Sequence, residues 1–291
     1  MKSIFIHSAM DLRIEDYPVE TISSNQVEIS LAIGGICGTD LHYYKHGGFG
    51  EIKLKEPMVL GHEVSGHITK IGSKVTNVSL GQLVSVSPSR PCNKCSFCLE
   101  GSQIHCVNMK FYGSAMPFPH IQGAFRETLI ANDYQCIPAD GLTSGEAAMA
   151  EPLAVCLHAI KQAGSIFGKK VLVTGSGPIG TLCVLAARRA GAAEIVVTDI
   201  SNSALSYSSL VGADITINSL ENYSSLEKFQ SGKGFFDIAL ECSGSSSGIK
   251  DAIKCLRPKG TLVQLGLGGD ILMPLVAVTT KELNIKGSFR F

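Results

Sequence analysis

Val171-Leu-Val-Thr-Gly-Ser-Gly-Pro-Ile-Gly180 carries an apolar run into three glycines, at 175, 177 and 180, and on into the helical stretch Pro178 to Ala190. Between a strand and a helix, that spacing is the fingerprint of a dinucleotide-binding turn. The first glycine permits the tight turn, the second lets the backbone approach a pyrophosphate, and the third lets helix and strand pack closely. The exposed N–H groups at the head of the helix then bind phosphate. Gly175, Gly177, Pro178, Ile179 and Gly180 are therefore the candidate cofactor contacts. Asp199 closes the next apolar run, nineteen residues past Gly180, where a carboxylate accepts hydrogen bonds from the adenosine ribose hydroxyls. It would repel a 2′-phosphate, and Ile200, Ser201 and Asn202 bring no arginine to neutralise one. NAD is the preferred cofactor, with NADP as the alternative.

Outward from this turn, short apolar runs alternate with helical segments: Lys170 to Thr174, Glu194 to Thr198, Ile215 to Ile217, Phe236 to Glu241, Thr261 to Leu265 and Leu283 to Gly287. The alternation predicts βαβ units and a parallel, doubly wound α/β sheet of the Rossmann type over residues 151–291. Before it, β-type runs such as Val27 to Ile33, Ser65 to Ile71 and Leu83 to Val86 are separated by Gly, Pro and Asn turn signals, which predicts a β-rich domain over residues 1–150. The segment Glu151 to Phe167 reads as a helix bridging the two. No internal repeat or low-complexity tract interrupts the chain.

The 291 residues are 45% hydrophobic and 17% charged, with 25 basic side chains against 25 acidic ones. This is a globular composition without the net field that would draw the chain to nucleic acid or an anionic membrane, so a small-molecule partner is expected. The charge-free stretch Val171 to Ala187 is broken by Gly175, Gly177, Pro178 and Gly180, and does not read as a membrane span. The first ten residues do not make a signal peptide. The expected location is cytoplasmic, with reduced thiols.

Four of the ten cysteines, Cys92, Cys95, Cys98 and Cys106, form C-x2-C-x2-C-x7-C, whose thiolates can close a tetrahedral shell around zinc. The bacterial iron–sulfur run differs: three residues precede its last cysteine and a proline follows it. Here seven intervene and Val107 follows. Four sulfurs leave no open position, so the expected role is structural.

A second set is dispersed: Cys37 in Gly-Ile-Cys-Gly-Thr-Asp-Leu-His42, His62 and Glu63 in Gly-His-Glu, and Glu151 in Glu-Pro-Leu-Ala-Val155. Each residue has an ordinary reading in isolation: a small core thiol, a loop histidine, a helix N-terminal acid. Together these segments resemble the zinc-containing medium-chain dehydrogenases, over essentially the whole chain, and within them the polyol branch. The resemblance implies a GroES-like catalytic domain followed by a Rossmann domain, and two zincs per chain, one catalytic and one structural. It puts the catalytic zinc on Cys37, His62 and Glu151, with Glu63 as the neighbouring acid that can enter the shell; which glutamate binds directly stays open. Where the alcohol dehydrogenase branch has cysteine, this chain has Glu151, a harder donor.

The same resemblance implies that Thr39 relays the substrate proton and His42 passes it to solvent, and that Tyr43, Glu151 and Arg290 contact substrate. The segments Leu41-His-Tyr-Tyr44, Phe111 to His120 and Gly287 to Phe291 carry it furthest, and the middle one tilts the expected substrate from a neutral polyol toward a sugar acid. A sorbitol- or xylitol-type polyol is the near alternative. From another class, the chain would be a non-catalytic NAD-binding protein keeping only a structural zinc lobe. The family commonly forms dimers or tetramers and continues past Phe291, so the C-terminal part of the usual fold is missing here, which implies uncovered sheet edge and apolar surface.

Overall fold

A computed structural model describes all residues, 1–291, and divides them into two compact units, Met1–Glu151 and Pro152–Phe291. In the second unit six strands form one sheet. In chain order they are Lys170–Thr174, Glu194–Asp199, Ile215–Asn218, Phe236–Glu241, Leu256–Gln264 and Asn284–Gly287, and they lie side by side as third, second, first, fourth, fifth, sixth. All five pairings are parallel. Two βαβ halves thus diverge between the first and fourth strands, the switch point at which doubly wound sheets bind dinucleotides. Helices on both faces explain the nearly uninterrupted apolar strands: Val171, Leu172 and Val173 are all fully buried, since a parallel sheet has no wet face. One face packs with Val171, Val173, Leu182 and Cys183, and the other with Leu172, Phe236, Ile253 and Leu256.

Two of the boundary differences from expectation have local reasons. The helix expected over Glu151 to Phe167 runs Ala150–Ala163 and stops at Gly164, whose φ of 86° is the left-handed conformation that ends helices. The fifth strand starts at Leu256, not Thr261. Its Arg-Pro-Lys-Gly segment reads as a turn but is absorbed as a break in register against Phe236 and Ile238, with Lys259 at φ 64°.

The first unit is built on a five-stranded antiparallel sheet in the order Thr128–Asn132, Gln26–Gly35, Glu63–Ile71, Leu83–Val86, Cys136–Pro138. Alternate residues point into its core: Val27 with Ile29, Val84 with Val86, Leu129 with Ala131, the period of two expected of a sheet with one buried face. A three-stranded sheet pairs Lys2–Ser8 with Asp11–Asp16 and Met58–Val59. The helix Gly38–His46 follows directly on the long strand Gln26–Gly35 and packs Tyr43 with Ile6, Met58 and Leu60.

Candidate active site

Cys37 ends the turn after the strand Gln26–Gly35 and caps the helix Gly38–His46, while His62 and Glu63 open the neighbouring strand Glu63–Ile71. These two strands are antiparallel partners with Gly35 opposite Glu63. The missing side chain matters: a Cβ at Gly35 would collide with Glu63 Oε2. The glycine leaves a recess in which the carboxylate lies beside the Cys37 thiol, and Cys37 Sγ, a His62 ring nitrogen and a Glu63 oxygen all fall within 4.8 Å of one another. Zinc bonds of about 2.0–2.3 Å set tetrahedral ligand atoms about 3.3–3.8 Å apart, so the three need only small rotations to close on a cation. One sulfur, one imidazole and one carboxylate leave a fourth position open, as catalytic zinc sites do.

The electrostatics fit the same group. Burial pushes the Cys37 thiol up to about 12, against hydrogen bonds from the Thr39 side chain and backbone that favour the thiolate. Burial, with the nearby Asp40 second, raises Glu63 to about 7, against a hydrogen bond from Cys37. Two acids that resist ionisation when desolvated are the groups a divalent cation would convert to ligands. His62 is buried, with its ring 5.4 Å from that of Phe111.

Asp40 holds these segments together, and the sequence reading missed it. It is 2% exposed; Oδ2 accepts from Cys37 N at 3.0 Å and Oδ1 from Gly61 N at 3.2 Å. One carboxylate therefore spans the turn bearing Cys37 and the turn bearing His62. The signal was available, since an acid three residues after a helix N-cap is a capping pattern.

Of the two glutamates left open, Glu63 is the one gathered with Cys37 and His62. Glu151 is 7% exposed near the start of the helix Ala150–Ala163. Glu63 follows His62 directly in the chain and faces Gly35 across one strand pair. Thr39 directs its hydroxyl at the Cys37 sulfur. His42, three residues further along the helix, is half-buried; burial, then the neighbouring His46 and Lys45, lower its pKa, favouring the neutral imidazole. Tyr43 is a core residue, 2% exposed, and its hydroxyl accepts from Ala115 N at 3.0 Å. Its ring packs with Ile6, Met58 and Leu60, and its hydroxyl anchors the segment Phe111 to His120. That segment is also tied by His120, whose Nε2 accepts from Lys55 N at 2.9 Å.

In the cysteine lobe the four sulfurs also lie within 4.8 Å of one another. Backbone N–H groups of Lys94 first, then of Cys95, bring Cys92 down to about 6, and those of Cys98 and Val107 lower Cys95. From Cys92 to Val107 the only buried residues are Cys98 and Cys106. A segment without an apolar core, with amides aimed at sulfur, fits a metal as its organising centre.

In the second unit, a Cβ at Gly175 (φ 90°) would lie 2.8 Å from Ser243 N, and one at Gly180 would strike the Gly175 carbonyl oxygen. At Gly177 it would meet nothing within 4 Å. Two glycines are thus required by the protein's own packing, and the middle one faces open space where a ligand backbone contact would form. Pro178 is the first residue of the helix Pro178–Arg189, and Ile179 packs against the core beneath it. Asp199 accepts from Ser176 N at 2.6 Å and Ser201 N at 2.8 Å, which fixes its carboxylate beside the turn. Arg290 sits near the end of the chain with φ 53°, its guanidinium 4.7 Å from the Phe289 ring.

Residues 23–141 match the alcohol dehydrogenase GroES-like domain, and residues 178–291 the zinc-binding dehydrogenase domain. L-idonate 5-dehydrogenase (NAD(P)(+)) of Escherichia coli K12 is 41% identical over 92% of this chain and 78% of its own length. The chain belongs to the zinc-binding dehydrogenase family. Sorbitol dehydrogenase of Bos taurus is 38% identical over 99% of this dehydrogenase and 82% of its own length. The crystal structure of the Escherichia coli L-idonate 5-dehydrogenase superposes with a TM-score of 0.94 and 37% identity, covering 100% of this dehydrogenase and 83% of that chain. The dehydrogenase is thus an enzyme of the zinc-containing medium-chain type, in its polyol branch. No helix in it is long and apolar enough to cross a membrane.

Proposed function

We propose that this dehydrogenase oxidises L-idonate at C5 to 5-dehydro-D-gluconate, with NAD as the hydride acceptor. The observation that carries the reading is the gathering of Cys37, His62 and Glu63 into a group of three ligand atoms, apart from a separate lobe of four sulfurs; three protein ligands leave one place of a tetrahedral shell for substrate, and four leave none. Cys37, His62 and Glu63 would hold a zinc that would serve as Lewis acid for the substrate hydroxyl, and a bound nicotinamide would serve as hydride acceptor. The chain's own residues do the rest. Asp40 keeps the ligand-bearing turns in register. Thr39 and His42 stand one helical turn apart on one face of Gly38–His46, which suits a relay that takes the hydroxyl proton to solvent. A histidine kept neutral is the form that accepts it.

Gly175, Gly177 and Gly180 open the sheet's switch point to the pyrophosphate, with Pro178 and Ile179 at the head of the helix and Asp199 placed for the ribose. The negative charge of Asp199 supports NAD over NADP. Tyr43, Glu151 and Arg290 are the substrate contacts carried by the resemblance; a guanidinium suits a sugar-acid carboxylate. A sorbitol- or xylitol-type polyol is the second reading, favoured by the 38% identity to sorbitol dehydrogenase. Initial rates with L-idonate, sorbitol and xylitol, each with NAD and with NADP, decide between them. Faster turnover of a neutral polyol sinks the idonate assignment, and a preference for NADP sinks the role given to Asp199. A metal content of one zinc per chain with no turnover would leave a non-catalytic dinucleotide-binding protein.

A further inference from the structure

Glu241 is fully buried at the carboxyl end of the fourth strand of the parallel sheet. In register it lies between Thr174 at the end of the first strand and Gln264 at the end of the fifth. Its carboxylate has partners on both sides. Oε1 accepts from Thr174 Oγ1 at 3.2 Å, Ser243 N at 3.0 Å and Gly244 N at 3.1 Å, and from the Ser243 hydroxyl. Oε2 accepts from Gln264 Nε2 at 2.6 Å and Gly244 N at 3.0 Å. The Glu241 backbone carbonyl accepts from Leu265 N and Gly266 N, both at 2.8 Å.

Every one of these carboxylate partners is a neutral donor. A buried carboxylate that gives up water without a counter-ion is retained where several converging donors need one acceptor. Here the donors come from the ends of three adjacent strands. Thr174 immediately precedes the first glycine of the dinucleotide turn. The Cys242–Gly244 loop backs directly onto that glycine: Cys242 N donates to Thr174 O at 2.8 Å, and Ser243 N is the atom a Gly175 side chain would meet. The loop after Gln264 is held close as well, since a Cβ at Gly266 would come within 2.7 Å of Glu241 Oε2.

We infer that Glu241 is a positioning residue for the dinucleotide: one carboxylate sets the spacing of the three loops around the sheet's switch point and so holds the glycine turn in its binding shape. The inference rests on reading this unit as dinucleotide-binding. Glutamine keeps the shape but turns one acceptor into a donor facing donors, so E241Q should open the loops without emptying the core.

The test is NADH affinity of the 291-residue, zinc-loaded chain by fluorescence titration, at a temperature where wild type and variants are folded. E241Q should bind NADH at least tenfold more weakly. Ile253→Ala, a cavity in the same unit away from these loops, should lower the melting temperature but leave affinity within twofold. Should E241Q fail to fold, Ser243→Ala decides, because it removes one exposed-side donor from the same carboxylate. It should weaken NADH a few-fold with little change in melting. Wild-type affinity in E241Q, or in S243A if that is the variant in hand, overturns the inference, as does an equal loss in I253A. If the wild-type chain itself binds no NADH, the reading of the unit falls and the inference with it.

Discussion

Zinc uptake at the Cys37, His62 and Glu63 group should be strongly coupled to protons. Without a cation, burial keeps the Cys37 thiol at about 12 and Glu63 at about 7. Binding requires both as anions. At any working pH the thiol therefore surrenders a full proton, whereas the carboxyl passes from about nine-tenths protonated at pH 6 to about one-tenth at pH 8. The sign follows: affinity rises with pH. Over those two pH units the thiol contributes about two powers of ten and the carboxyl about one more, so the binding constant should rise about a thousandfold, or about 4 kcal/mol. Any proton displaced from His62 adds to this. The assay is competition with a chromophoric chelator on protein whose cysteine lobe is already loaded, repeated at pH 6, 7 and 8. Calorimetry in two buffers of different ionisation enthalpy counts the protons released. Glu63→Gln should flatten the dependence by about one power of ten. A rise of less than tenfold in the wild type, or an unchanged slope in the variant, would refute the assignment of these acids as ligands.

Three further outcomes are expected. Cys37→Ser should lower the metal content from two zincs to one and cost several kcal/mol of transition-state stabilisation, about a thousandfold in turnover, measured by metal analysis and initial rates. Gly177→Ala should leave stability within about 0.5 kcal/mol by denaturant unfolding, because a Cβ there meets nothing and the backbone is extended, yet weaken NADH; Gly180→Ala should damage both. Tyr43→Phe leaves the Ala115 N–H without its acceptor, for about 1–3 kcal/mol of stability, and should loosen the Phe111 to His120 segment, seen as faster amide exchange there.

Much of the second unit was legible because its signals are local. A parallel strand buried on both faces must be apolar throughout, and a glycine turn at fixed spacing has few structural alternatives, so Lys170 to Thr174 and Gly175 to Gly180 could be read without knowing what they touch. The four cysteines were legible for the same reason: their geometry is set by spacing within one short segment. The cost of a break in register at Pro258 and Lys259 was not, since it is absorbed by pairing with a strand some twenty residues earlier.

The site in the first unit is the opposite case. By itself the sequence determined which chemical groups are present: a thiol, an imidazole and two glutamates, each with an innocent reading. Only the tertiary structure decided that Gly35 lies opposite Glu63, that this absence of a side chain makes the recess beside Cys37, and that Asp40 bridges the two turns. It likewise placed Tyr43 in the core, with its hydroxyl on Ala115 N, and drew five donors onto the Glu241 carboxylate. The physical reason is common to all of these. Strand pairing and burial bring together residues whose separation in sequence carries no periodic signal, and desolvation then gives those residues their chemistry.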